Sequence, residues 1–299
     1  MLTAVIVTYN RKELLSQNIE MLLKQTMTVD SIIIVDNCSS DGTYEYLKNC
    51  GWPFLYLKTE TNIGGAGGFY TGVKAAYEAG ADWIVLMDDD GRMADEHTME
   101  ILYRAARKLY DENRGERKLF VNALVQKGEL LSFKIDHMYT VVEAMMAAKN
   151  GLIEGAANPF NGTMISRELV SEIGYPNKDF FIKGDEVDFK QRALDVGAYV
   201  VTVVEARYIH PMPKTQERKV LGIRVPFLVE DPWKEYYAAR NFTYMYKKKG
   251  LYKAIVFELI FVKILAVFSM QCRKIETIKM VLKGVCDGWK EKLGPTVTP

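Results

Sequence analysis

Three adjacent carboxylates, Asp88-Asp89-Asp90, stand directly behind the apolar run at 83–87. A buried strand that delivers three like charges to one loop is stressed by their repulsion. A divalent cation relieves that stress, and Mg2+ or Mn2+ is commonly held by one or two protein carboxylates together with substrate phosphates. A solvated acidic turn capping the next helix is the other account of the same residues. A second acidic pair, Asp185-Glu186, follows the apolar Phe180-Phe181-Ile182 and opens a helical pattern. A carboxylate at the mouth of a partly apolar pocket can act as general base toward a hydroxyl, although acidic residues favour helix N-termini in any case. Residues 62–68 place Gly64, Gly65, Gly67 and Gly68 within five positions. That run suits backbone approach to a phosphate or a sugar, with a flexible turn as the less favoured account. Position 70 is Tyr and no Gly-Lys-Ser/Thr follows, which argues against a dinucleotide fingerprint and a Walker-type loop. His210 alone reads as a structural or surface histidine unless other ligands, such as Asp88 and Asp90, converge on it.

The elements that must position these groups follow from the hydrophobic pattern. Over the first ninety residues short apolar runs alternate with helix-period segments, the pattern of βαβ units and a mostly parallel sheet. Strands are expected at 3–8, 31–36, 54–58 and 83–87, with helices near 11–25, 42–49 and 66–79. Open α/β sheets bind ligands beyond the carboxyl ends of their strands. Here those ends are Thr8-Tyr9-Asn10, Asp36-Asn37, the glycine-rich stretch and the Asp triplet, so one sheet edge collects carboxylates, amides and glycines. A helix is expected near 96–113, whereas 119–155 gives no firm pattern. Asn161-Gly162-Thr163-Met164-Ile165 leads to a helix that Ser166 can cap and Gly174 can close. A further helix ends near Gly197, and a strand at 199–204 runs toward His210.

With 299 residues, 48% hydrophobic and 26% charged, the chain is an ordinary folded protein. Its net charge of +1 gives no global field toward nucleic acid, but residues 240–299 hold 12 Lys/Arg against 4 Asp/Glu, leaving 27 against 34 in the first 239. Cys38, Cys50, Cys272 and Cys286 show neither C-x-x-C spacing nor a paired His, so no zinc knuckle or disulfide framework is expected and a reducing cytoplasm is the default. No secretory pattern opens the sequence. The apolar stretch 251–271 is interrupted by Lys253, Glu258 and Lys263 and is not expected to span a bilayer.

Taken together, Thr8-Tyr9-Asn10, Asp36 within residues 35–43, the Asp triplet and the acidic pair resemble, in order and spacing, the nucleotide-sugar glycosyltransferases of family two over about 1–215. The resemblance implies an α/β glycosyltransferase-A fold, Rossmann-like and nucleotide-binding, with a catalytic domain at 1–215 and a basic C-terminal helical region at 216–299. It implies that Asp36 meets uracil, that Thr8 and Tyr9 line the base pocket with Asn10, and that Asn62, Gly64, Gly65, Asp89, Asn161 and Gly162 belong to the substrate site. Asp88 and Asp90 match the family's Asp-x-Asp, contacting ribose and a diphosphate-bound Mn2+ or Mg2+, and His210 matches the histidine that completes the metal site. Glu186 falls where the family places its base, with Asp185 as the alternate; Asp-Glu here replaces the commoner Glu-Asp or Asp-Asp. The reaction implied is inverting transfer. Hydrolysis by two carboxylates would leave the glycine run and the Asp-x-Asp without a role.

The stretch 62–69 is also similar to the Gly-Gly-Ala-Gly-Gly-Phe of bacterial galactofuranosyltransferases, as are Phe180, Ile182 and Lys183. This implies UDP-galactofuranose as donor and a lipid-linked glycan as acceptor. A dTDP-rhamnose-dependent relative and an inactive sugar-nucleotide-binding scaffold are the alternatives. Gly184 stands where galactan polymerases of this group have Trp. Residues 233–250 resemble the Tyr-Tyr…Arg-Asn helix of these relatives, which places Arg240 at the acceptor end. The basic tail suits an anionic membrane surface on the cytoplasmic side, and equally a helical pair packed on the body or on a second subunit.

Overall fold

The computed structural model describes residues 1–112, 118–213, 215–220, 223–228, 230–254, 260 and 274–297, with backbone only for 215–220, 223–228, 254 and 274. Two compact units emerge, one of Met1–Pro176 with Phe189–Met212, the other of Asn177–Asp188 with Pro213–Pro299.

The first unit is built on a large mixed sheet. Its opening strands are β1 (Leu2–Thr8), β2 (Ser31–Asp36), β3 (Leu55–Lys58) and β4 (Trp83–Asp88), all parallel, in the spatial order β3-β2-β1-β4. The Val- and Ile-rich runs form strands buried on both faces. In β1, Ala4 and Ile6 enter one apolar layer while Val5 and Val7 enter the other, and β2 and β4 alternate likewise. A parallel sheet covered by helices requires this two-sided burial. Helices α1 (Lys12–Leu23) and α4 (Thr98–Glu112) cover the first layer through Leu15, Ile19, Leu22, Met99, Leu102 and Ala106. Between them in the chain lie α2 (Thr43–Asn49) and α3 (Gly64–Glu78). Phe69, Val73 and Ala76 of α3 cover the second layer.

The middle of the chain, which carried no firm pattern, extends the sheet. After the two-residue β5 (Arg92–Met93) come β6 (Leu119–Lys127), β7 (Leu130–Ile135) and β8 (Met138–Thr140). Helix α5 (Val141–Ala147), with a Thr140/Glu143 capping box, β9 (Leu152–Glu154) and β10 (Asn161–Ser166) follow. β10 inserts antiparallel between β4 and β6. Helix α6 (Arg167–Ile173) begins as expected, Ser166 Oγ accepting from Leu169 N at 3.3 Å, and closes at Gly174 with φ +72°. Helix α7 (Asp185–Asp195) precedes β11 (Tyr199–Ile209), which runs five residues beyond the expected strand end and reaches His210 after a register shift between Val203 and Arg207.

The glycine run differs from the expected loop, because α3 already begins at Gly64. Gly68 and Gly72, one helical turn apart, face β1: a Cβ on either would come within 2.4 Å of Val7 and 2.3 Å of Val5. These two glycines allow close helix–sheet approach. Gly65 faces open space.

The second unit contains a hairpin that the sequence pattern did not announce, β12 (Thr215–Val220) and β13 (Ile223–Leu228), paired antiparallel with Val220 opposite Ile223. Helix α8 (Pro232–Lys248) packs against the helix Lys274–Trp289. Their backbones approach where Gly284 and Gly288 lie against Tyr236 O and Arg240 O, at 2.4 and 2.2 Å from where a Cβ would sit. Most of the apolar stretch 251–271 lies outside the described residues, and no described helix is long and apolar enough to cross a membrane.

Candidate functional site

In the strand order β3-β2-β1-β4, the chain moves outward from β1 in one direction and returns on its other side with β4, so the crevice between β1 and β4 is the topological switch point. Register places Thr8 opposite Asp36 and Val7 opposite Asp88 at their carboxyl ends. Here Asp88, Asp90 and His210 each offer a ligand atom, all within 4.8 Å of one another. Asp90 Oδ1 lies 3.1 Å from His210 Nε2, whose other ring nitrogen is 2.7 Å from Pro211 O. The aromatic ring of Phe133 packs beside the imidazole. Tyr208 fixes the path of β11 here, because its ring fills the space that a Cβ on Gly91 or Gly162 would occupy.

The electrostatics of this edge are those of crowded carboxylates. Burial, reinforced by Asp90 and Asp89, pushes the Asp88 carboxyl up to about 8. Burial also opposes the charges of Asp90 and His210, but their mutual hydrogen bond prevails, leaving Asp90 below and His210 above their ordinary values. Arg11, which the sequence reading passed over, donates from Nη1 to Asp89 Oδ1 at 2.9 Å and to Asp90 Oδ2 at 2.7 Å. Its signal was its place immediately after Thr8-Tyr9-Asn10. Asp89 turns inward: buried, it accepts from Thr8 Oγ1 at 2.9 Å and from Tyr9 N at 3.2 Å. It thereby ties the ends of β1 and β4 together.

The other expected donor residues lie in the same unit. Tyr9 is 43% exposed. Asn10, at φ +52°, accepts Ser40 N at 2.8 Å and donates its own N–H to Ser39. Asp36 is fully buried, its oxygens accepting Ser39 N at 2.7 Å and Tyr56 OH at 2.5 Å. Asn62 Oδ1 accepts Gly64 N at 2.8 Å, and Gly64 O accepts Asn37 Nδ2 at 3.0 Å. Asn161 is buried with Nδ2 on Pro159 O and, among the described residues, no hydrogen-bond partner at Oδ1, and Gly162 adopts φ +66° against the Tyr208 ring.

The acidic pair belongs to the second unit. A 3-10 turn at Lys178–Phe180, capped by Asn177, leads into Phe181 at φ +65°, ψ −63°, closed by Ile182 N donating to Phe180 O at 2.7 Å. This is a γ-turn of the strained hand. Lys183 at φ +68° and Gly184 at φ +87° follow, and Lys183 Nζ pairs with Glu230. Asp185 is buried, and Glu186 Oε2 accepts Gly184 N at 2.9 Å. Arg240, fully buried, holds backbone rather than open surface: Nη2 reaches Asp179 O and Phe180 O at 3.1 and 2.9 Å, and Nη1 reaches Gly294 O at 2.5 Å.

Comparison with known proteins fits this geometry. Residues 3–115 match the family described as Glycosyl transferase family 2. The galactofuranosyltransferase GlfT1 of Mycolicibacterium smegmatis is 31% identical over 260 residues, 84% of this chain and 85% of that protein. The chain belongs to glycosyltransferase family 2. A second relative of this glycosyltransferase, the dTDP-rhamnosyl transferase RfbF of Shigella flexneri, is 25% identical over 95% of this chain and 94% of its own length. Among solved structures, the mannosyltransferase PcManGT of Pyrobaculum calidifontis, in complex with GDP-Man and Mn2+, superposes with a TM-score of 0.53 at 13% identity, covering 97% of this chain and 75% of that one. The glycosyltransferase thus has the glycosyltransferase-A fold that its sequence implied, carrying a C-terminal helical extension.

Two carboxylates and an imidazole within 4.8 Å form an O/N donor set suited to Mn2+ or Mg2+, the imidazole favouring Mn2+. The raised Asp88 carboxyl also fits, since a cation there would offset the burial and the neighbouring charges that hold its proton on.

Proposed function

We propose that this glycosyltransferase moves galactofuranose, with inversion, from UDP-galactofuranose to a hydroxyl of a lipid-linked glycan. The observation that carries the donor half is the convergence of Asp88, Asp90 and His210 at the switch point of the sheet. The sugar rests on the 31% identical galactofuranosyltransferase, which aligns along most of both chains. Mn2+ or Mg2+, held by Asp88, Asp90 and His210, would supply positive charge against the leaving diphosphate. Asp36, Thr8, Tyr9 and Asn10 hold the nucleoside, with Asn62, Gly64, Gly65, Asn161 and Gly162 on the sugar side. Glu186 takes the proton of the acceptor hydroxyl while its oxygen bonds to the anomeric carbon. The bond from that carbon to the diphosphate oxygen breaks, and UDP leaves with the electron pair.

The division of labour proposed is catalysis within 1–215 and acceptor or membrane docking within 216–299. Ile275, Leu282 and Trp289, seven residues apart on the helix Lys274–Trp289, are all exposed, with Lys279 and Lys283 exposed among them. An amphipathic basic face of this kind suits an anionic bilayer bearing a lipid-linked acceptor, on the cytoplasmic side of the cell membrane. Sedimentation with anionic but not with neutral vesicles is the expected result.

The deciding experiment combines the purified protein with Mn2+, an octyl galactofuranoside acceptor, and either UDP-galactofuranose or dTDP-rhamnose. Hexose addition from UDP-galactofuranose alone, lost in Glu186→Gln and Asp90→Ala, is expected. Deoxyhexose addition would move the donor to dTDP-rhamnose, the reading favoured by the 25% identical Shigella relative. Mn2+-dependent UDP binding without turnover would point to a scaffold.

A further inference from the structure

We propose that Asn241, seated by Arg240, is a positioning residue for Glu186 and acts through the Lys183–Gly184 peptide. The inference rests on the reading of Glu186 as the base. Asn241 is fully buried, and its Nδ2 lies 3.0 Å from Phe180 O, 3.0 Å from Ile182 O and 2.7 Å from Lys183 O. The side-chain oxygen faces the other way and accepts from Arg240 Nε at 2.8 Å, which fixes which end of the amide donates. Arg240 also reaches Asp179 O and Phe180 O, so two consecutive residues of α8 hold the carbonyls of 179, 180, 182 and 183.

The backbone thus held is the γ-turn at Phe181 and the left-handed Lys183 and Gly184. Such conformations persist where surrounding groups over-determine them, and they concentrate at functional sites. One peptide plane carries the link to the acid. The Lys183 carbonyl accepts from Asn241, and the N–H of the same peptide, at Gly184, donates to Glu186 Oε2 at 2.9 Å. Since carbonyl and N–H of a trans peptide are rigidly coplanar, the amide that orients one end orients the other. Rotation of this plane would release the Glu186 carboxylate from Gly184.

The test is a double-mutant cycle. Asn241→Asp keeps the shape and the acceptor for Arg240 but cannot donate. Transfer from UDP-galactofuranose, or from dTDP-rhamnose if that is the donor used, to octyl galactofuranoside is compared in wild type, Asn241→Asp, Glu186→Gln and the double variant. A misplaced base predicts a kcat about 100-fold lower in Asn241→Asp, with donor KM within twofold and a double variant no slower than Glu186→Gln alone. Losses that multiply in the double variant, or a kcat for Asn241→Asp within threefold of wild type while Glu186→Gln is inactive, would overturn the proposal and leave the base assignment standing. Full activity in Glu186→Gln would instead remove the base assignment on which the proposal rests. Tyr237→Phe, which deletes a hydroxyl bonded to Val297 O in the same unit, controls for general loosening and is expected to keep wild-type kcat. Arg240→Lys supplies a second arm should Asn241→Asp not fold. With no turnover at all, hydrogen exchange at Gly184 decides: at least tenfold faster exchange in Asn241→Asp supports the link, and unchanged exchange removes it.

Discussion

The Asp-triplet edge and the acid-pair loop solve the same problem, holding carboxylates still, by opposite means. At the edge, Asp88 ends a strand whose register with β1 is unbroken from Leu2 to Val7, and the sheet does the positioning. Before the acid pair no regular element extends beyond a single 3-10 turn, and three of the four residues Phe181 to Gly184 have positive φ. Each non-glycine among them costs roughly 1–3 kcal/mol, an expense offset by hydrogen bonds from Arg240 and Asn241. A sheet fixes its ends as a by-product of folding, whereas a strained loop needs a dedicated buried partner. Damage should therefore separate activity from stability at the edge and couple the two at the loop.

The largest effect is expected from Asp90→Ala. It removes one of three converging donors and should lower turnover by about 10²–10³-fold while leaving thermal unfolding close to wild type, because Arg11 keeps Asp89. A collapse in Tm would show that the edge, too, depends on its charges for folding. Next comes the glycine face of α3. Gly68→Val forces a side chain against Val7 and should destabilise by about 1–3 kcal/mol in denaturant titration. Gly65→Ala meets nothing and should hold or raise stability, so any loss of UDP affinity in that variant reports a donor contact. At the loop, Asn177→Ala removes the acceptor for Asp179 N and should cost about 1 kcal/mol. Faster hydrogen exchange over 178–184 together with reduced kcat would confirm that loop and activity are coupled.

The smallest expected effect is on pH dependence. In the fold Asp88 keeps its proton up to about 8, whereas an unfolded Asp releases it near the ordinary value of 3.8. Between these limits the folded state binds more protons, so this group makes stability fall as pH rises. Without metal, Tm should decline between pH 6 and 8, and saturating Mn2+ should flatten that decline. A metal-free Tm rising over the same interval would contradict the assignment.

How much of this was legible in sequence follows the same divide. Strand ends are readable because a doubly covered parallel strand leaves a continuous Val/Ile signal and its first polar residue marks the edge; β2 was expected at 31–36 and is found at Ser31–Asp36. Asp185 and Glu186 stood out as an acidic pair, but their support did not, since Asn241 lies 58 residues from Lys183 and a single amide has no periodicity to betray it. The glycine run shows a third case. Its residues were conspicuous, but Gly68 serves packing together with Gly72, which lies beyond the run, and only their helical spacing distinguishes that role from ligand approach. Tertiary pairing also built the hairpin β12–β13, a polar, charged strand against a largely apolar one, where a helical region was expected.

Tyr208 adds a consequence for the order in which the protein is made. Its ring occupies the space left vacant by Gly91 and Gly162, and His210 follows two residues later. The edge therefore draws on segments synthesised more than a hundred residues apart. A nascent chain that has already formed β1 to β4 presents the carboxylates of Asp88 and Asp90 but lacks the His210 imidazole and the wedge that braces it, so the three groups come together only once the first unit is fully translated.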